Sequence, residues 1–260
     1  MEPDETTQSG LTRRRRLLGQ AGVVGAVIAG GGIVGVGRSL AAVSSTESAA
    51  SALVLTPEQE EGPFYVALEK IRKNITLGRK GVPLKLRVKI VNSTTGKPIS
   101  GAALDIWHCD ATGVYSDESS EGTVGSTWLR GVQITGADGV AEFDSIYPGQ
   151  YTGRDTHIHV KVHIGGASDG SGYSGGHVSH TGQLFFSDAL SDKVYRVAPY
   201  TSGTAARTDH AEDQVWTQQD GAKSLLTLTL LGSTLADGFL GTITLGVNPA
   251  ATPAAVGAGH

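Results

Sequence analysis

Only one of the 260 residues is a cysteine, Cys109, so no internal disulfide can staple this chain. A basic excess is missing too. Lys and Arg number 21 against 25 Asp and Glu, a formal net charge of −4, and nothing in that balance suggests a nucleic-acid partner. Aromatics are scarce at 6 % while glycine is abundant at 37 residues, a mixture suited to β-structure with many tight turns. After residue 55 no long helical period appears, which argues against a mainly helical architecture.

What is present begins with an address. Residues 11–40 read LTRRRRLLGQAGVVGAVIAGGGIVGVGRSL, four arginines followed by an apolar, Gly/Ala-rich segment. Arg14 and Arg15, with Leu17 and Leu18 behind them, fit a twin-arginine export signal, and Ser39, Leu40 and Ala41 offer small residues for cleavage. The competing reading is a retained membrane anchor, which so much glycine would make a weak spanning helix. The expected layout is a twin-arginine signal peptide over 1–41, a flexible linker over 42–54, one catalytic domain over 55–250 and a disordered tail over 251–260. The protein is expected outside the cytoplasm or in the cell envelope.

Short alternating segments recur through the domain: 84–91, 103–109, 139–146, 157–164, 224–231 and 241–247, separated by turn signals such as TTGKP and GADG. Several short strands at this spacing indicate an all-β sandwich or barrel. The expected fold is an all-β sandwich of mixed short strands with long active-site loops. Helix is expected only locally, within 187–197, and residues 165–181 and 199–222 read as long loops.

Within this frame YPGQYTGRDTHIHVKVH (147–163) concentrates side chains capable of chemistry. On a strand over 157–164, Ile158, Val160, Val162 and Ile164 form one apolar face, while His157, His159, Lys161 and His163 project from the other. His157 and His159 would lie about 6–7 Å apart along that face, close enough to turn onto one metal. The plainer reading is also open, because Pro-Gly-x-Tyr after Asp-Gly-x-Ala-x-Phe recurs in transthyretin-like binding modules, where the tyrosine only packs.

His-x-His alone is shared by zinc, copper and iron sites. No glutamate follows His159 at cupin spacing, and the nearby carboxylates Asp155, Glu142, Asp138 and Asp144 do not sit at such a position, which weakens cupin and iron(II) two-His-one-carboxylate readings. Structural zinc is weaker still with one cysteine. Tyrosine is the distinctive candidate. A phenolate is a hard anion, and only a strongly acidic ion such as Fe(III) removes its proton readily near neutral pH. Tyr115, after the turn in DIWHCDATGVYS, adds a second one, a rim aromatic if read alone.

Taken together these stretches resemble the intradiol ring-cleavage dioxygenases, the family of protocatechuate 3,4-dioxygenase and catechol 1,2-dioxygenase. LTPEQEEGPFY (55–65), DIWHCDATGVYS (105–116), YPGQYTGRDTHIHV (147–160) and TGQLFF (181–186) are similar to family segments, in order, over nearly the whole domain. The chain looks like an exported single-chain member, without the large helical dimerisation segment of catechol 1,2-dioxygenases.

The resemblance implies one non-haem Fe(III) per chain, held by Tyr115, Tyr151, His157 and His159 with a solvent hydroxide. Two phenolates and a hydroxide offset the 3+ charge, which eases burial of the centre. It further implies intradiol cleavage of a catechol by O2 to a cis,cis-muconate-type diacid, with Tyr151 as base and Arg154 stabilising negative charge on the ring. Gln183 would orient the substrate, and Trp107, Gly113 and Val114 would line the pocket. Arg154 read as a plain surface residue would pair with Asp155 or Asp144. No role is assigned to His108, His177, His180 or His210, and Cys109 is expected to be a small buried residue. Monomer and homo-oligomer are both compatible with the sequence. The alternatives are a metal-free transthyretin-like module and an iron(II) ring-cleaving oxygenase.

Overall fold

The computed structural model describes residues 55–67 and 70–257, so the signal and linker read at 1–54 lie outside the described residues. In order, the described chain forms β1 (Pro83–Asn92), β2 (Ala103–Trp107), β3 (Arg130–Ile134), β4 (Val140–Ile146), β5 (His157–Ser168), β6 (Tyr173–Phe185), α1 (Asp188–Val194), α2 (Gln214–Gln218), β7 (Thr227–Leu230) and β8 (Phe239–Val247). In β1 the buried Leu84, Leu86, Val88 and Ile90 alternate with the exposed Lys85, Arg87 and Lys89. This two-residue period decides which face meets the core.

Two four-stranded sheets result, in the orders β4-β1-β8-β7 and β3-β2-β5-β6. The first is mixed, since β1 runs parallel to β8 and antiparallel to β4. The second is antiparallel throughout. Leu104 and Ile106 of β2, Ile158, Val160 and Val162 of β5 and Leu184 of β6 share one buried cluster with the inner residues of β1, with Phe143 of β4 and with Leu245 and Val247 of β8. The architecture is an all-β sandwich. Each such aliphatic side chain contributes roughly 1.5–3 kcal/mol by leaving water, an upper bound for a chain whose unfolded state is partly collapsed.

The opposite face of the second sheet is enclosed as well. His157 and His159 are 2 % and 0 % exposed, and the N-terminal strap of residues 55–65 passes against His159 at Gly62. The Thr56 amide donates to Gly246 O and the Gln59 amide to Thr181 O, which ties the strap to β8 and β6. The alternation of β5 therefore separates an apolar core face from a second buried face that is polar.

Several sequence expectations need correction. Residues 165–181 are not a long loop. β5 continues to Ser168 and β6 begins at Tyr173, paired from Gly166↔Gly175 to Ser168↔Tyr173. The Gly/Ser-rich text carries no apolar alternation, and the pairing there rests on backbone hydrogen bonds and on buried Tyr173, whose hydroxyl accepts from the Gly166 amide at 2.8 Å. β3 was not anticipated. It is an edge strand beside Ile71, with the Arg72 amide donating to Val132 O and the Val132 amide to Lys70 O. The supposed loop at 199–222 holds α2 and the 3-10 turn Tyr200–Ser202, and a second such turn, Gly221–Ser224, closes it. The strand expected at 224–231 shortens to β7, while α1 falls inside 187–197 as expected.

His108, given no role from sequence, bridges the sheets. It is fully buried just after β2; its Nδ1 donates to Cys109 O at 2.8 Å, so its neutral Nε2 accepts from Ser145 Oγ of β4 at 2.7 Å. Burial holds its pKa at about 4, below the ordinary 6.5. Below pH 6.5 the unfolded chain takes up a proton that the folded chain refuses until about pH 4, so stability falls as the pH drops through that window. For this group the loss is about 3 kcal/mol. Urea unfolding of His108→Gln should show a pH dependence flatter by that amount between those limits; an unchanged slope would show that the ring is not held neutral.

The turn after β2 meets the turn before β5 at Gly113, whose φ is +91° and whose missing Cβ would lie 2.2 Å from Gln150 O. Gly153 has φ +80° with nothing within 4 Å of its missing Cβ. Gly153→Ala should therefore cost about 1–2 kcal/mol of backbone strain, and Gly113→Ala at least twice that, because backbone must also move. Equal melting temperatures for the two variants would contradict this packing.

Candidate metal centre

The turn through Asp110 sets Tyr115. Its Oδ1 accepts from the amides of Thr112 at 2.9 Å and Val114 at 3.2 Å, which carries the chain from β2 back under the second sheet. Tyr151 arrives from the Pro-Gly turn ahead of β5, and His157 and His159 stand two residues apart on that strand. These four residues converge. Tyr151 Oη lies 3.1 Å from His157 Nε2, and His157 Nε2 lies 3.0 Å from His159 Nε2. The Tyr115 ring centroid is 5.6 Å from that of Tyr151 and 6.4 Å from that of His159.

Protonation explains why this cluster suits a cation. His157 Nδ1 sits 2.6 Å from the Asp155 carbonyl and must donate to it, so the lone pair of the neutral ring is on Nε2, aimed at the cluster. Burial, followed by the Arg154 charge, lowers the His157 pKa to about 3. Burial, followed by His157, holds His159 well below the ordinary value. Burial pushes Tyr151 up to about 12, against the pull of Arg154, and burial and then Tyr151 hold Tyr115 well above the usual phenol. The Tyr115 hydroxyl is buried without a well-formed hydrogen bond. Two neutral imidazoles and two phenols thus crowd one point, where the Tyr115 hydroxyl and His159 Nδ1 are left without hydrogen-bond partners. A strongly acidic metal ion fits this set, since it replaces the phenolic protons and takes the nitrogen lone pairs. Cys109 is not part of it: its Sγ lies 3.5 Å from Gly149 O, and burial pushes the thiol up.

Aromatic walls exclude water. Trp107 stacks on His159 at 4.9 Å and 3°, Phe64 stacks on Tyr115 at 4.2 Å, and Tyr65 tilts against Trp107 at 4.8 Å. Gly62 is required here, with φ +72° and a missing Cβ 3.1 Å from His159 Cε1. Of the other expected pocket residues, Gly113 serves the turn and Val114 packs against the sandwich core.

Arg154 stands beside the cluster, with Nη1 donating to Tyr151 Oη at 3.4 Å and Nη2 to Gln183 Oε1. Its ion-pair partners are Asp213, at 3.0 Å, and Glu60, at 3.6 Å, rather than Asp155 or Asp144. Burial disfavours the guanidinium charge, but Tyr151, Asp213 and Glu60 together keep its pKa above the ordinary value. Gln183 is fixed from three sides: its Oε1 takes Arg154, its Nε2 donates to Glu60 O at 2.9 Å, and its amide donates to Gln59 Oε1 at 2.7 Å.

Three further histidines lie elsewhere. His163 packs edge-on to Tyr173, His180 pairs with Glu58 at 2.8 Å, and His210 stacks on Trp216. Asp155, Asp188 and His210 bring ligand-type atoms within 4.8 Å of one another. There Arg207 already supplies the cation, bonded to Asp155, Asp188 and Asp192.

Asp213, Glu60 and Gln59 were not picked out from the sequence. Asp213 had one local signal: it precedes QVWTQ, and its Oδ1 caps α2 by accepting from the amides of Val215 at 2.7 Å and Trp216 at 3.1 Å. Its reach to Arg154, 59 residues away, leaves no trace in sequence.

A family model described as Dioxygenase matches residues 60–169, which contain all four converging residues. Among curated proteins, catechol 1,2-dioxygenase 1 of Acinetobacter lwoffii is 34% identical over 101 residues, covering 37% of this chain and 32% of that protein. Hydroxyquinol 1,2-dioxygenase of Rhizobium sp. (strain MTP-10005) is 36% identical over 93 residues, covering 35% of this chain and 31% of that protein. The chain thus spans about a third of the length of the curated relatives it matches. Among solved structures, the dioxygenase domain of a dioxygenase carbohydrate-binding protein fusion from Streptomyces sp. SirexAA-E is 27% identical with a TM-score of 0.51, over 74% of this chain and 97% of that one. An intradiol ring-cleavage dioxygenase from Tetranychus urticae is 31% identical with a TM-score of 0.67, over 77% of this chain and 98% of that one. A likeness at 31% identity that takes in almost all of that structure makes this chain a member of the intradiol ring-cleavage dioxygenase family.

Proposed function

We propose that this chain cleaves a catechol-type ring with O2 between its two hydroxyl-bearing carbons. Both oxygen atoms enter the product, a cis,cis-muconate-type diacid. The centre is one non-haem Fe(III) held by Tyr115, Tyr151, His157 and His159. The observation carrying this reading is the convergence of Tyr151 Oη, His157 Nε2 and His159 Nε2 within 3.1 Å, both rings neutral and Tyr115 beside them. Two phenol donors favour a ferric site over the iron(II) alternative. When bound, ferric iron would supply Lewis acidity and a template for the two catechol oxygens.

The chain's own groups do the rest. Tyr115 is 2 % exposed and clamped by Phe64, which suits a ligand that stays in place. Tyr151 is only half-buried, and as a phenolate its Oη can accept a proton from an arriving catechol hydroxyl. Arg154 Nη1, 3.4 Å from that oxygen, steadies the phenolate until it is protonated and then meets negative charge building on the ring. Gln183 keeps the guanidinium in that orientation. Phe64, Tyr65 and Trp107 keep water away, which strengthens every charge interaction inside. The signal pattern over 1–41 supports an exported enzyme that meets its substrates outside the cytoplasm.

Protein expressed with ample iron should be red-brown from tyrosinate-to-iron charge transfer and should consume O2 with catechols. Tyr151→Phe should shift the colour and lower kcat by about 10²-fold or more, whereas His157→Ala should lose iron by elemental analysis. A colourless, iron-free protein from such cells, or both variants with full colour and rate, would overturn the proposal.

A further inference from the structure

Among the described residues three cationic side chains approach the centre, and each is already engaged. Arg130 lies 5.9 Å from the Tyr115 ring and donates to Phe64 O, Ser116 O and Ser116 Oγ. Lys161 pairs with Glu61 and rests 3.7 Å from the Tyr65 ring centroid. Arg154 faces two carboxylates at once, Asp213 at 3.0 Å and Glu60 at 3.6 Å. Charge around the guanidinium that serves the substrate is therefore negative on balance.

The two carboxylates differ in place. Asp213 is 0 % exposed behind Arg154, committed to the α2 cap and to the Asp155 amide. Glu60 lies on the strap, and its carboxylate and the Tyr151 hydroxyl share one guanidinium nitrogen, Nη1. Its backbone cannot drift. The Glu60 amide donates to Gln219 Oε1 at 2.8 Å and its carbonyl accepts from Gln183 Nε2 at 2.9 Å.

We infer that Glu60 is a specificity residue that selects catechols whose ring carries no anionic substituent. This rests on the dioxygenase reading of the same site. A carboxylate on the ring would bring a second negative charge toward a fixed one, in a walled site where Arg154 and Lys161 are paired with carboxylates and the Arg130 donors are taken up by Phe64 O, Ser116 O and Ser116 Oγ. At separations of about 6 Å and an effective dielectric near 20, that repulsion is worth about a hundredfold in binding. A neutral ring, or one bearing a further hydroxyl, meets no such penalty.

The test uses the iron-loaded full chain, with catechol and 3,4-dihydroxybenzoate as paired probes. The parent should show a kcat/KM for 3,4-dihydroxybenzoate well below that for catechol. Glu60→Gln should raise the ratio of the two by about a hundredfold. The ratio is the readout, because loosening Arg154 changes both rates. Glu60→Thr, which removes charge and bulk together, should move it the same way. Anaerobic calorimetric titration with both probes should reproduce the shift without turnover. A parent that prefers 3,4-dihydroxybenzoate, or a ratio unmoved in both variants, overturns the inference alone. Cleavage of neither probe by red, iron-loaded protein overturns the dioxygenase reading and this inference with it.

Discussion

Two neutral imidazoles whose Nε2 atoms face each other at 3.0 Å in a buried site set the terms for everything around them. They are held by the strand on which they alternate and by the hydrogen bond from His157 Nδ1 to the Asp155 carbonyl, which fixes both ring and tautomer. The Asp155 backbone is in turn fixed where its amide donates to Asp213 Oδ2 at 2.7 Å. The orientation of one ring thus traces back to a buried aspartate at the start of a five-residue helix.

Asp213 also explains why the segment between α1 and β7 belongs to the site. Burial raises the energy of its carboxylate, yet Arg154 and the amides around it outweigh that and hold its pKa below the ordinary value. Removing one partner of such a buried pair costs more than the pair itself contributes, because the other charge is left stranded. Helix cap, guanidinium and histidine backbone are therefore coupled through one side chain, and geometry at Tyr151 depends on packing well away from it.

Much of this was legible in sequence where periodicity or local chemistry wrote it down. The alternation in 84–91 and 157–164 gave the inner faces of both sheets, His-x-His marked a candidate site on one strand face, and the family resemblance implied the four residues that converge. What could not be read is what pairing at a distance supplies. The β5–β6 hairpin beyond Ile164 is glycine and serine held by backbone bonds, and β3 is a five-residue edge whose partners lie in β2 and the strap side of the chain. Nor does any local pattern say that a strand's polar face is buried. That follows from the strap, which sequence read only as a family-like segment.

The strap is where enclosure and selectivity meet. Gln59 is 0 % exposed and donates to Gln219 O at 3.1 Å while accepting from the Gln183 amide. Gly62 lets the backbone pass against His159, and Phe64 covers Tyr115. Water exclusion by this one segment makes the charges beneath it count for more. The residue it places over Arg154 then governs which substituents the ring can carry. Chemistry is thus vested in β5 and in the turns that carry Tyr115 and Tyr151, whereas discrimination falls to an extended segment pinned at Gln59 and Glu60. Selectivity can therefore be altered at Glu60 while backbone bonds to β6 and the Gln219 side chain hold the strap in place, a freedom that Gly62 and Phe64, set against His159 and Tyr115, do not share.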